Sequence, residues 1–128
     1  MRQFTLAAIG VAVVGLIGVG GIGAASAAGA LATGACGAYG QAFGFRDIDA
    51  AQNSALQQCN GPGCRVVATL RRSCAALAVD VRDPCGTHAA AHAPRLGIAQ
   101  NDALRRCYRS GGKECVIRTF VCDGKGRG

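Results

Sequence analysis

A nine-residue segment occurs twice in the chain, and each copy ends in a cysteine. The first is Ala51-Gln52-Asn53-Ser54-Ala55-Leu56-Gln57-Gln58-Cys59 and the second is Ala99-Gln100-Asn101-Asp102-Ala103-Leu104-Arg105-Arg106-Cys107, with six of nine positions identical. Alanine, leucine and glutamine are good helix formers, so each copy reads as a short helix. A further cysteine follows each, Cys64 and Cys115, and then a run rich in β-branched residues, Arg65-Val66-Val67-Ala68-Thr69-Leu70 or Val116-Ile117-Arg118-Thr119-Phe120-Val121. Such runs read as strands. The repeat constrains the chain to two like halves, over about 30–74 and 75–122, each with a helix tied to a strand.

The residues ahead of the repeat have a different character. Arg2 is the only charge before Arg46, residues 4–23 are almost wholly apolar, and Ala25-Ser26-Ala27 follows. One positive charge, an apolar core and an A-x-A exit predict a secretory signal peptide over 1–27, cleaved before Ala28. The alternative is a retained anchor, since the run is long enough to span a bilayer. No basic stop-transfer cluster follows it, which favours cleavage and a secreted or periplasmic domain.

Without Arg2 the chain carries 13 Lys and Arg against 7 Asp and Glu, a net charge of +6. It has no Trp and few aromatics, so its core must come from Ala, Val, Leu and Ile, which bury little area each. A small domain with a thin core needs staples. The eight cysteines, Cys36, Cys59, Cys64, Cys74, Cys85, Cys107, Cys115 and Cys122, all lie beyond the leader. An even count in a small exported chain predicts four disulfides. Zinc commonly takes paired C-x2-C units and reduced thiols, whereas the local spacings here are C-x4-C and C-x7-C.

Aligning the halves matches Cys36 with Cys85, Cys59 with Cys107, Cys64 with Cys115, and Cys74 with Cys122. Within each half a tight glycine-containing loop separates helix end from strand start. The expected local pairs are therefore Cys59–Cys64 and Cys107–Cys115. The remaining four are expected to cross between halves and join like with like, as Cys36–Cys85 and Cys74–Cys122.

Taken in order, residues 30–33 and 36–45 read as strands. Tyr39, Phe43 and Phe45 share one face, and the interleaved glycines predict close backbone approach or bulges. Asp49 with Gln52 matches a capping box for the first helix. Strands are expected at 64–71 and 74–79, with a turn at 71–73. In the second half Thr87-His88-Ala89-Ala90-Ala91-His92 stands where the first has its aromatics, and Gly97 stands where the first has Asp49. The last strand ends at Cys122, and residues 123–128 read as a disordered tail. The fold class is α+β: two β-β-α-β pseudo-repeats sharing one core.

The Ala-rich helix to Cys59, the strand Cys64-Arg65-Val66-Val67, Cys74-Ala75-Ala76-Leu77-Ala78-Val79, the second helix to Cys107, Cys115-Val116-Ile117 and the final Cys122 together resemble the family named domain of unknown function 4189. The resemblance covers roughly residues 30–122. It implies export and disulfides, but no established activity, cofactor or site. Cys36 and Cys85 look like an addition to the family pattern. The family's second half usually carries Gly-aromatic alternation where this chain has residues 88–92.

Three sets of residues are candidates for chemistry. His88 and His92 are the only histidines, and a His-x3-His pair is a known arrangement for Zn, Cu or Ni. Nothing in the sequence marks a third ligand, so neither metal nor cofactor is expected. The acids, Asp47, Asp49, Asp80, Asp83, Asp102, Glu114 and Asp123, are scattered, and none forms an evident acid/base pair. Arg71, Arg72, Arg105, Arg106, Arg109 and Lys113 form a basic patch if the turn after the first core strand lies near the end of the second helix. The expectation is a non-enzymatic exported module that binds an anionic partner: an envelope polymer, a membrane surface or an acidic protein. Nucleic acid fits poorly, because stacking aromatics are sparse. The alternatives are a small hydrolase or metal-dependent enzyme centred on His88 and His92, and an inhibitor of a secreted or host enzyme.

Overall fold

A computed structural model describes residues 27–124. Residues 1–26 of the proposed leader and 125–128 of the proposed tail lie outside the described residues. The element order is β1 (Ala28–Thr33), a 3-10 turn (Ala35–Gly37), β2 (Tyr39–Phe45), α1 (Ile48–Gln58), β3 (Arg65–Leu70), β4 (Cys74–Asp80), β5 (His88–Ala93), α2 (Leu96–Arg109) and β6 (Cys115–Cys122). Each half is thus β-β-α-β. All strand pairs are antiparallel, in two three-stranded sheets ordered β2-β1-β3 and β5-β4-β6.

The sheets lie face to face, with a helix on the outside of each. Small residues alternate with larger ones along the central strands, and the alternation sets the layers. Ala28, Ala30 and Ala32 of β1 meet Ala51 and Ala55 of α1. Cys74, Ala76 and Ala78 of β4 meet Ala99, Ala103 and Cys107 of α2. The opposite faces carry the larger side chains: Leu31, Ala68 and Leu70 of the first sheet pack on Ala75, Leu77, Val79 and Val121 of the second. The halves share this inter-sheet core. Alanine on the outer faces lets each helix lie close to its sheet, so β1 and β4 are buried along their whole length.

The two halves are related by a pseudo-two-fold. β2 faces β6 across the sandwich and β3 faces β5, contacts that exchange when the halves are swapped. Each last strand carries a bulge at the matching place. The register jumps between Leu31 and Ala32, leaving Val67 unpaired, and between Leu77 and Ala78, leaving Arg118 unpaired.

The interleaved glycines have separate reasons. Gly40 faces α1, where a Cβ would collide with the carbonyl oxygen of Ala55 and the amide of Cys59. Gly44 has φ +74 and sits where the β1–β2 register shifts, a left-handed position that suits glycine.

Four disulfides join the described cysteines: Cys36–Cys85, Cys59–Cys64, Cys74–Cys122 and Cys107–Cys115. Cys59–Cys64 and Cys107–Cys115 tie helix to strand within their halves. Cys36–Cys85 joins the β1–β2 connection to the β4–β5 connection, which are equivalent positions. Cys74–Cys122 is the expected pair, but its two cysteines lie in one sheet. Cys74 opens β4, where it stands directly opposite Cys122 of β6, so the bond crosses neighbouring strands of one sheet.

Two further corrections concern ends of elements. The first helix begins earlier than the capping box of Asp49 and Gln52 implies. Asp47 is its N-cap, and the Asp47 carboxylate accepts a hydrogen bond from the Ala50 amide at 2.7 Å. Asp49 instead adds negative charge to the first turn, where the helix dipole favours it. Asp123 does not belong to a free tail: it is 1 % exposed, and its N–H donates to the Ser73 carbonyl at 2.9 Å.

Candidate functional site

The histidines sit on the edge strand β5, which among the described residues pairs only with β4. His88 lies opposite Val79 and His92 opposite Ala75, both exposed. Four residues of strand separate them by about 13 Å, whereas ligands of one zinc ion each stand about 2 Å from it. The nearby Asp80 is already engaged. Its Oδ1 accepts from the Arg82 amide at 2.9 Å and its Oδ2 from the Lys113 amide at 3.0 Å. These hydrogen bonds, Lys113 first and then Arg82, hold the carboxyl below its ordinary value against the opposing effect of burial. Among the described residues no group of three or more His, Cys, Asp or Glu side chains is placed to hold a metal.

The six basic residues do not form one patch. Arg71 and Arg72 occupy the turn before Cys74, at one end of β4. Lys113 lies at the other end, its amide on Asp80, and the length of β4 puts about 20 Å between the two ends. α2 runs antiparallel to β5 and finishes at this second end, where Cys107 is bonded to Cys115. Arg106 turns to β5, donating from Nη1 to the Ala90 carbonyl at 3.1 Å. Arg105 and Arg109 remain together, one helical turn apart. With Asn101, Leu104 and Tyr108 they line an open hollow of about 690 Å³. Tyr108 reaches over the start of β6, its hydroxyl 3.4 Å from the Cys115 carbonyl.

A second hollow, of about 640 Å³, follows the outer edge of β6. Gln41 and Phe43 of β2 form one wall, Gln100 of α2 stands on the other, and residues 117–122 form the floor. Phe43 is 64 % exposed and Phe120 49 %. Two large apolar rings open to solvent in one cleft are a mark of recognition surfaces. The Thr119 hydroxyl donates to Gln41 Oε1 at 3.0 Å, fixing the β2 wall to the floor. The bulge at Arg118 turns that side chain toward the first half. Its Nε donates to the Gly37 carbonyl at 2.7 Å, and its guanidinium stands 5.6 Å from the centre of the Tyr39 ring.

α2 contributes to both hollows: Gln100 lines one and the next residue, Asn101, lines the other. Together they carry Arg105, Arg109 and Arg118, and among the described residues neither is lined by an acid. Sequence reasoning singled out Arg105 and Arg109. It missed Arg118, Phe120, Phe43, Gln41 and Gln100. One signal for Arg118 was present: counted from Cys64 and Cys115, it stands where the first half has Val67.

Among the described residues no helix is long and apolar enough to cross a membrane. Four disulfides fit an oxidising environment outside the cytosol. No characterised protein and no solved structure shows significant similarity to the chain. One family model does match it, that of a domain of unknown function (DUF4189), over residues 28–122. The chain, with its two disulfide-stapled β-β-α-β halves, belongs to that family.

Proposed function

We propose that the protein is an exported, non-catalytic binding module that holds an anionic polymer of the cell envelope along the seam between α2 and β6. The observation that carries this reading is the pair of open hollows to which α2 contributes, lined by three arginines and, among the described residues, by no acid. An elongated surface with spaced cations and exposed rings suits a chain-like ligand. Its charges would meet Arg105, Arg109 and Arg118, and its apolar faces would lie on Tyr108, Phe120 and Phe43. Export is supported by the leader-like composition of residues 1–27 and by the disulfides, with cleavage before Ala28 releasing a secreted or periplasmic domain. The non-catalytic reading is supported by the occupation of acids in structural roles: Asp47 caps α1 and Asp80 joins two loops.

Binding of the oxidised chain beginning at Ala28 to poly(glycerol phosphate), with neutral dextran as control, tests the proposal. The expected result is binding to the polyanion alone that weakens as salt rises, because exposed charges are screened. Arg105→Ala with Arg109→Ala should weaken it by about tenfold or more, and Phe120→Ala should weaken the part that persists in high salt. Equal binding of the unsubstituted and doubly substituted chains would overturn the reading.

A further inference from the structure

Asp123 has a buried carboxylate that is half satisfied. Its Oδ1 accepts from the Gly44 amide at 3.2 Å. Its Oδ2 is buried and has no hydrogen-bond partner among the described residues. Leaving such an oxygen without a donor is costly, and each case in a native fold calls for a reason.

The carboxylate lies against the start of β1. A Cβ placed on Gly29 would stand 3.0 Å from Asp123 Cβ and 3.5 Å from its Cγ. A Cβ placed on the next residue, Gly124, would stand 3.9 Å from the Ala27 side chain. Ala28 lies between these two contacts and is fully buried. The start of β1, which includes the Ala28 nitrogen, therefore runs past Asp123 and Gly124. In the uncut chain that nitrogen is a neutral amide. Hydrolysis of the Ala27–Ala28 bond gives the hydroxyl of water to the Ala27 carbonyl carbon and a hydrogen to the Ala28 nitrogen. The free amine then takes a proton from solvent, since its ordinary pKa is about 7.7–8.0.

We propose that Asp123 is the receptor for the processed amino terminus. The new α-ammonium of Ala28 pairs with Oδ2, so leader removal completes the charge balance of the fold. This proposal rests on the cleavage position in the export reading above. The pair joins β1 of the first half to the residue after β6 of the second. It clamps the halves at the end of the sandwich where Ser73 accepts from Asp123. A buried pair of this kind is costly to break, because the remaining charge is stranded.

The test uses the oxidised chain beginning at Ala28, with its amine free or acetylated, in the unsubstituted form and in Asp123→Asn. Acetylation should raise the unfolding equilibrium constant of the unsubstituted chain by at least about tenfold and should have little effect in Asp123→Asn. Titration of the Ala28 amine by NMR should show its pKa raised in the unsubstituted chain and ordinary in Asp123→Asn. Equal effects of acetylation in both backgrounds would overturn the pair. If Asp123→Asn does not fold, the titration of the unsubstituted chain decides alone, and an ordinary amine pKa overturns the proposal. The mass of the exported protein is read separately. A start other than Ala28 overturns the cleavage position, whereas an unperturbed amine in the chain that does start there overturns the pair.

Discussion

Arg118 Nε donates to the carbonyl oxygen of Gly37 at 2.7 Å, joining the last strand of the second half to the first connection of the first half. The bond depends on the bulge in β6. An extra residue in one strand re-aims its side chain, and here the chain points across the sandwich instead of into the ladder. The guanidinium then covers the Tyr39 ring at 5.6 Å.

Arg118→Ala removes a charge-assisted hydrogen bond and a cation–π contact, so a loss of about 1–2 kcal/mol is expected in urea unfolding. Arg118→Lys keeps the charge but not the flat guanidinium, and should recover only part of the loss. Equal stability of the Ala variant and the unsubstituted chain would show that the contact between halves does not contribute.

Asp80 gives the fold an acid-sensitive joint. Its carboxylate takes the Lys113 amide on Oδ2 and the Arg82 amide on Oδ1, and these bonds hold its pKa below the ordinary 3.8. Protons therefore bind the unfolded chain more readily than the folded one. The contribution is present above the unfolded pKa of about 3.9 and is lost as pH falls through the lower folded value. Denaturation midpoints followed from about pH 5 downward should decline less steeply in Asp80→Asn than in the unsubstituted chain. At neutral pH the Asn variant should already be weaker, since its amide group cannot accept on both sides.

Gly40 and Ala89 occupy equivalent places in β2 and β5, yet neither should tolerate the other's residue. A methyl on Gly40 meets the Ala55 carbonyl and the Cys59 amide, backbone atoms that cannot step aside. Gly40→Ala should cost about 1–3 kcal/mol through overpacking. Ala89→Gly removes a methyl that packs against the α2 core and adds chain entropy to the unfolded state, a cost of about 1 kcal/mol. Thermal unfolding of the two variants compares them directly.

The α+β class and the doubled β-β-α-β order were legible because their signals are local: alanine and leucine spacing in the helices, alternation in the strands, glycine after each helix. The layering was less so. Ala-Leu-Ala in β1 and in β4 marks both strands as buried, but only pairing tells which face meets a helix. The cap of α1 was ambiguous because Asp47 and Asp49 both precede an alanine-rich run, and the choice depends on where β2 stops. Arg118 was missed and Asp123 misread for a deeper reason. A bulge is a mismatch between strands far apart in sequence, and the burial of Asp123 is imposed by Gly29 and Gly44 of the other half. One basic patch required the turn at 71–73 to lie near the end of α2, and sequence carries no record of the 20 Å or so that β4 places between its ends.

The two kinds of disulfide should differ in what they contribute. Cys36–Cys85 is solvent-exposed and buries little, so its effect should lie mainly in the unfolded chain. Its cysteines are 49 residues apart, and those of Cys59–Cys64 only 5. In the chain-entropy description, closing the longer loop stabilises the fold by about 4 kcal/mol and closing the shorter by about 2 kcal/mol. Paired Cys→Ser replacement at 36 and 85 should therefore cost roughly twice as much as at 59 and 64, measured by urea unfolding with the other three bridges intact. The first pair of replacements should leave binding to poly(glycerol phosphate) unchanged under conditions where the chain remains folded, because neither cysteine lines the α2–β6 seam. Removing Cys107–Cys115 should weaken that binding, since this bridge fixes the end of α2 against the start of β6 and so sets the spacing of Arg105, Arg109 and Tyr108. Equal binding losses for the two bridges would place the ligand away from the seam.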